Sequence, residues 1–121
     1  MKLGVFTVLF ADKNLEEMLD YVKNAGLDAV EIGTGGYPGD AHLKLDVLQT
    51  FLEKVNSRGL TISALSCHGN PVSPDEAFRK DSHETLVKTI KLAGLLNIPV
   101  VNTFSGTPGD SEDGKYPNWP V

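Results

Sequence analysis

Apolar positions along this chain keep two rhythms: dense short runs, and longer stretches with helical spacing. The first dense run is Lys2 to Phe10, where Leu3, Val5, Phe6, Val8, Leu9 and Phe10 follow almost without a break. That density predicts a strand buried on both faces. Asn14 then stands three residues before Glu17, the spacing of a capping box. Leu15, Met18, Leu19 and Val22 fall on one face of the helix it opens, with Glu16, Asp20 and Lys23 turned away. Gly26 predicts a left-handed helix end, and Leu27 to Ile32 a second strand. A glycine-rich loop, Gly33 to Lys44, leads to a second helix with Asp46 and Gln49 as its cap pair. Leu48, Phe51, Leu52 and Val55 are its apolar stripe, and Gly59 its end.

Leu60, Ile62, Ala64 and Leu65 give the third strand its apolar character, with Thr61 and Ser63 small enough for a crowded inner face. It runs straight into Cys67, His68, Gly69 and Asn70, with Pro71 and Pro74 stiffening the exit. Asp81 with Glu84 predicts the cap of a third helix, whose apolar face is Leu86, Val87, Ile90 and Ala93. Asn97 stands where Gly26 and Gly59 stood, and Pro99 to Phe104 is the fourth strand.

The order is therefore β-α-β-α-β-α-β, one βα unit repeated. Ala25-Gly26-Leu27, Arg58-Gly59-Leu60 and Leu96-Asn97-Ile98 open each return. Dense strands alternating with amphipathic helices force a parallel sheet with right-handed crossovers. The pattern alone leaves open whether that sheet is doubly wound or part of a barrel. From Ser105 to Val121 the periodicity ends in glycines, prolines and acidic residues. A loop of that length at the end of a strand predicts that the chain is the front part of something longer.

A chain of 121 residues fits one domain, and 40% apolar with 22% charged residues is the balance of a soluble globular protein. No apolar run approaches the ~20 residues of a membrane span, so no membrane partner is expected. The opening MKLGVFTVLFAD is broken at Gly4 and Thr7 and carries Asp12, so it reads as a strand rather than a leader. A single cysteine allows no internal disulfide and points to a reducing, cytoplasmic setting. The net charge of −5 repels phosphate backbones at long range and argues against a nucleic-acid partner, though not against a small anionic substrate.

Four stretches together resemble one known family: GVFTVLF, AGLDAVEIG, ISALSCHGNPVSP and NIPVVNTFSGTPGDSED. The chain is similar to sugar phosphate isomerases and epimerases with the xylose-isomerase-like TIM barrel, over essentially its whole length. SCHGNP and FSGTPGDSEDGKYPNWP are the most specific pieces. The resemblance implies that the chain is the first half of a (β/α)8 barrel, residues 1–121, with an irregular loop or tail from 105. It implies a divalent metal (Mn, Mg, Co or Zn) whose main ligands lie on later strands, and a sugar or sugar phosphate as substrate. On that reading the chain supplies one wall of the pocket and the catalytic groups lie elsewhere. Two alternatives stay open. One is a non-catalytic half-barrel that forms a homo-oligomer through its open sheet edges. The other is a dehydratase, lyase or endonuclease of the same superfamily.

Strands of parallel α/β proteins build sites at their C-terminal ends. Glu31 lies near that end of the second strand, where a carboxylate in an apolar run must be paired or hydrogen-bonded; at the barrel mouth it would bind a sugar hydroxyl or a second-shell cation, the resemblance implying a glutamate at this position, while a structural carboxylate bonded to a neighbouring strand's loop remains the other reading. His68 follows the third strand and suits either a sugar oxygen or, less well, a metal. In the endonuclease branch a histidine at this place binds zinc, with another after strand four; here strand four gives Asn102, Thr103 and Ser105. Asn70, Asn102 and Ser105 are candidate hydrogen-bonding groups, and Phe6 a candidate wall of the site. Each of these also fits a turn, a satisfied backbone or the core. Cys67 reads as a small buried hydrophobe. GTGGYPG, Gly33 to Gly39, matches neither phosphate-binding glycine motif and reads as a rim loop. Asp110, Glu112 and Asp113 lack calcium-loop spacing, and His42 and His83 have no evident partner.

Overall fold

The computed structural model describes residues 1–35, 48–106, 108 and 109, with Leu48 and Gln49 described by their backbone alone. The rim loop beyond Gly35, His42, the Asp46–Gln49 cap and the acidic stretch from Asp110 lie outside the described residues. Seven of the described elements follow the predicted alternation. They are β1 (Gly4–Phe6), α1 (Leu15–Asn24), β2 (Ala29–Gly35), α2 (Leu48–Ser57), β3 (Thr61–Cys67), α3 (Glu76–Leu96) and β4 (Val101–Thr103). The strands are all parallel and pair in sequence order, β1-β2-β3-β4. A doubly wound sheet would reverse direction across its first strand. Sequential order with the helices on one face is instead the winding of a barrel.

The helix-covered face carries the core. Val30, Ile32 and Leu65 from the strands pack with Met18, Leu19 and Val22 of α1, Phe51 and Val55 of α2, and Leu92 and Ala93 of α3. Helix α1 starts as the spacing predicts. The Asn14 side chain accepts from the Glu17 N–H at 3.0 Å, and Glu17 Oε2 accepts from the Asn14 N–H at 3.1 Å. The three unit ends also agree: Gly26, Gly59 and Asn97 have φ of 77°, 68° and 54°. That left-handed region suits glycine and, next best, asparagine.

Several expectations need correction. The first strand does not run from Lys2 to Phe10. It stops at Phe6, and Thr7–Phe10 forms a 3-10 helix. The cause is Thr7, fully buried, whose hydroxyl accepts from the Gly33 N–H at 3.0 Å and draws the chain out of the ladder. Leu9, read as buried, is 71% exposed. The third helix begins at Glu76, capped by Asp75, whose side chain accepts from the Phe78 N–H at 3.1 Å. Asp81 is an exposed residue inside this helix, because the earlier cap already starts it and no breaker stands between. The buried stripe of α3 is then Ser82, Thr89, Leu92 and Ala93, while Ile90 points to solvent. Thr61 and Ser63, expected on a crowded face, are exposed on the face away from the helices. β4 is also shorter than Pro99–Phe104.

An ion-pair cluster ties α1 to α2. Arg58 Nη2 and Lys54 Nζ lie 2.6 and 2.8 Å from the two carboxylate oxygens of Glu16, and Arg58 Nε lies 2.6 Å from Asp20. Hydrogen bonds from Lys54 and then Arg58 hold the Glu16 carboxyl below its ordinary 4.5, and Arg58 holds Asp20 below 3.8. The guanidinium is pushed further up, chiefly by its bond to Asp20, so it stays charged throughout. Carboxyls depressed by folding add stability that is complete above their ordinary values and is lost as pH falls through the folded ones. Arg58→Met is therefore expected to unfold at lower urea than the parent at neutral pH. That gap should narrow once the pH falls below 3.8, which paired urea titrations would read directly.

Candidate functional site

The site is built on the sheet face that the helices leave open. Registers across the ladder fix which side chains share it. Phe6 pairs with Glu31 and Glu31 with Ala64; one layer further on, Gly33 pairs with Ser66 and Ser66 with Asn102. Two irregularities interrupt the β2–β3 ladder. β3 carries an extra residue, Ser63, between Ile62 and Ala64, and β2 an extra one, Thr34, between Gly33 and Gly35. Such bulges re-aim side chains near sites. The hydroxyl of Ser63 donates to the Val30 carbonyl at 3.2 Å, which satisfies the first of them.

Glu31, half-buried, takes a hydrogen bond at Oε1 from the hydroxyl of Ser66, which is fully buried. This answers the requirement that a carboxylate in an apolar run have a partner. A carboxylate has acceptor capacity for several donors, so one serine leaves room for a second hydroxyl at the same group. Beside it, three rings form a continuous wall. Phe6 meets His68 edge-on, with centroids 5.2 Å apart, and His68 leans on Phe104 at 4.7 Å. The His68 backbone N–H donates to the Gly35 carbonyl at 3.1 Å, holding the ring at the C-terminal end of the sheet. Towards the other end of the strands lies a hollow of about 370 Å³, lined in part by Lys2, Gly4, Phe6, Glu31, Thr61 and Ser63. Glu31 and Phe6 both line the hollow, and Phe6 is also the first ring of the aromatic wall.

Of the residues singled out from sequence, Phe6, Glu31 and His68 come together. Asn102 is exposed on β4 and shares a register layer with Ser66. Asn70 is used mostly by its own turn. Its side-chain oxygen accepts from the Val72 N–H at 3.3 Å, and its backbone N–H donates to Ser82 of α3 at 3.2 Å. Ser105 is exposed just after β4, next to a tight approach of two loops. Gly106 has φ of 91°, and a Cβ there would stand 2.6 Å from the Asn70 side-chain oxygen and 2.8 Å from Val72. Only glycine fits, so the loop after β4 closes directly on the loop after β3. Cys67 is buried among the core, on the opposite side of the strand from His68, as neighbours on an extended chain must be.

Sequence reasoning missed Ser66 and Phe104. Period-two spacing from His68 back to Ser66, and from Asn102 on to Phe104, is the signal that would have found both. Among the described residues, no three histidine, cysteine, aspartate or glutamate side chains gather as metal ligands. The described part does not by itself fit a complete divalent-metal site. No helix among the described residues is long and apolar enough to cross a membrane.

Comparison with known proteins agrees with this architecture. Residues 19–119 match the family described as xylose isomerase-like TIM barrel. An uncharacterized protein of Bacillus subtilis (strain 168), YfiH, is 36% identical over 126 residues. That alignment takes in 98% of this chain and 40% of YfiH, so the chain spans well under half the length of the relative it matches. With four parallel strands in sequential order alternating with helices, the fold of a partial barrel, and a family match across most of its length, the chain belongs to the xylose isomerase-like TIM barrel family.

Proposed function

We propose that this chain is the N-terminal part of a divalent-metal-dependent isomerase or epimerase of sugars or sugar phosphates, and that it forms one wall of the substrate pocket. The family is largely one of enzymes, isomerases and epimerases among them. The observation that supports the reading is the Glu31–Ser66 pair beside the Phe6–His68–Phe104 wall, whose His68 and Phe104 lie just past the C-terminal ends of β3 and β4, the side on which sites of this fold form. Sugars present hydroxyls along their edges and C–H groups on their faces. A fixed carboxylate accepts from the former, and ring faces pack on the latter. His68 adds a ring nitrogen that donates to or accepts from a sugar oxygen.

The metal belongs to the proposal as a group that would hold substrate oxygens and stabilise charge on them. Its ligand set is not supplied by the described residues. This chain's own part is to bind and orient the sugar and to shield one side of it from water.

His68→Ala in the full-length protein is expected to weaken binding of the preferred sugar about tenfold, the loss of one hydrogen bond and one packed ring face. Calorimetric titration reads this directly, and unchanged affinity would remove His68 from the site. A second reading rests on β1 and β4, each of which has one neighbouring strand among the described residues. Two copies pairing through those edges would give a homo-oligomer without turnover. Solution mass separates this from a closed barrel.

A further inference from the structure

We propose that Thr34 and Thr89 are positioning residues, which hold the Ser66 peptide from the helix side so that its hydroxyl stays aimed at Glu31. The inference rests on the proposed role of Glu31, but its geometry can be tested without any substrate.

Thr34 is the extra residue of the second bulge, set between the Gly33–Ser66 and Gly35–Cys67 pairs. Its hydroxyl lies 3.0 Å from the Ser66 carbonyl and 2.8 Å from the hydroxyl of Thr89 on α3. Thr89, itself buried, also lies 2.9 Å from the Thr85 carbonyl one turn back. Two hydroxyls have two protons for these three contacts. The Thr85 carbonyl lies within α3, where it is already an acceptor of the helix ladder. The Ser66 carbonyl sits where the sheet ladder is interrupted, and gains more from a side-chain donor. The arrangement that satisfies most groups runs from Thr89 to Thr34 to the Ser66 carbonyl.

Ser66 is therefore gripped on both sides of the sheet. Its carbonyl is held from the helix layer, and its hydroxyl is spent on Glu31 on the open face. Rotation of that peptide would swing the Ser66 side chain and free the carboxylate. Two residues further on, the same strand delivers His68, so the grip also fixes the carboxylate relative to the ring wall. Groups that bind or act on a substrate need placement within about 0.5 Å, which packing behind them supplies. Thr89 is buried and Thr34 half-buried between sheet and helix, where a threonine hydroxyl is kept only at the cost of giving it a partner.

The test compares Thr34→Val, which removes the hydroxyl and keeps the shape, with Thr34→Ser, which keeps the hydroxyl. The readout is the carbon-13 resonances of the Glu31 carboxyl and the Ser66 β-carbon in the labelled full-length protein. Thr34→Val should move both by more than a linewidth while the core methyl resonances stay in place, and Thr34→Ser should return them. Parent-like resonances in a folded Thr34→Val protein would overturn the proposal, as would Thr34→Ser shifting them as far as valine does. Should Thr34→Val not fold, Thr89→Val carries the same test. It leaves the Thr34 donor in place and should move the two resonances in the same direction by less; no movement there overturns the proposal equally. These readings hold whether or not a sugar is turned over, so they fail separately from the proposed function.

Discussion

Phe51→Ala is expected to lower the stability of the fold by about 3–5 kcal/mol, the cost of removing a large ring from a core that cannot collapse around the gap. Phe51 has no exposed surface and is among the largest side chains so enclosed. It sits on α2, which packs against both α1 and β3, so its cavity would open where two helices meet the sheet. A domain of this size holds roughly 5–15 kcal/mol in total, so this one change takes a large part of it. Leu95→Ala is the matched control. Leu95 is also a helical apolar residue but is 74% exposed, and its loss should stay within about 0.5 kcal/mol. Urea unfolding followed by circular dichroism separates the two. Equal losses would mean that the core does not lie between α2 and the sheet.

Glu31→Gln is expected to lower kcat/KM on the true substrate roughly ten- to a hundredfold, the worth of one charge-assisted hydrogen bond of about 1.5–3 kcal/mol. The substitution keeps the shape of the side chain. It also keeps an oxygen that can accept from Ser66, so the fold should survive with little change in melting temperature. What it removes is the negative charge offered to a substrate hydroxyl. Ser66→Ala should reproduce a smaller part of the loss, because the carboxylate remains but is no longer fixed. Steady-state kinetics with thermal melts in parallel checks both. A Glu31→Gln protein with parent-like kcat/KM would mean that Glu31 only satisfies the sheet.

Much of this fold is legible in the residues because local signals and packing agree. The Asn14–Glu17 box, the left-handed ends at Gly26, Gly59 and Asn97, and the alternation of dense and periodic runs each act within a few residues. Where a distant contact decides, the pattern misleads. Nothing near Thr7 shows that Gly33, on the next strand, will pull it out of β1. The third helix is misplaced for a different reason. Asp75 and Asp81 are both competent caps, and the earlier one wins because nothing between them stops a helix.

The site is legible in the same uneven way. Glu31 stands out because an acid in an apolar strand demands a partner, and His68 because it follows a strand. The identity of the partner depends on the register between β2 and β3, and that register shifts twice. Ser66 therefore faces Glu31 for reasons that no single strand displays. Asn70 draws attention by its residue type, yet the turn it sits in takes up its side-chain oxygen.

The most direct test of the central proposal is conversion of sugars by the full-length protein, followed by carbon-13 nuclear magnetic resonance. Aldoses, ketoses and their phosphates would each be incubated with Mn, Mg, Co or Zn ions. At least one sugar is expected to be interconverted with its isomer or epimer, and Glu31→Gln to slow that conversion. A folded protein that converts none of them with any of these metals would contradict it.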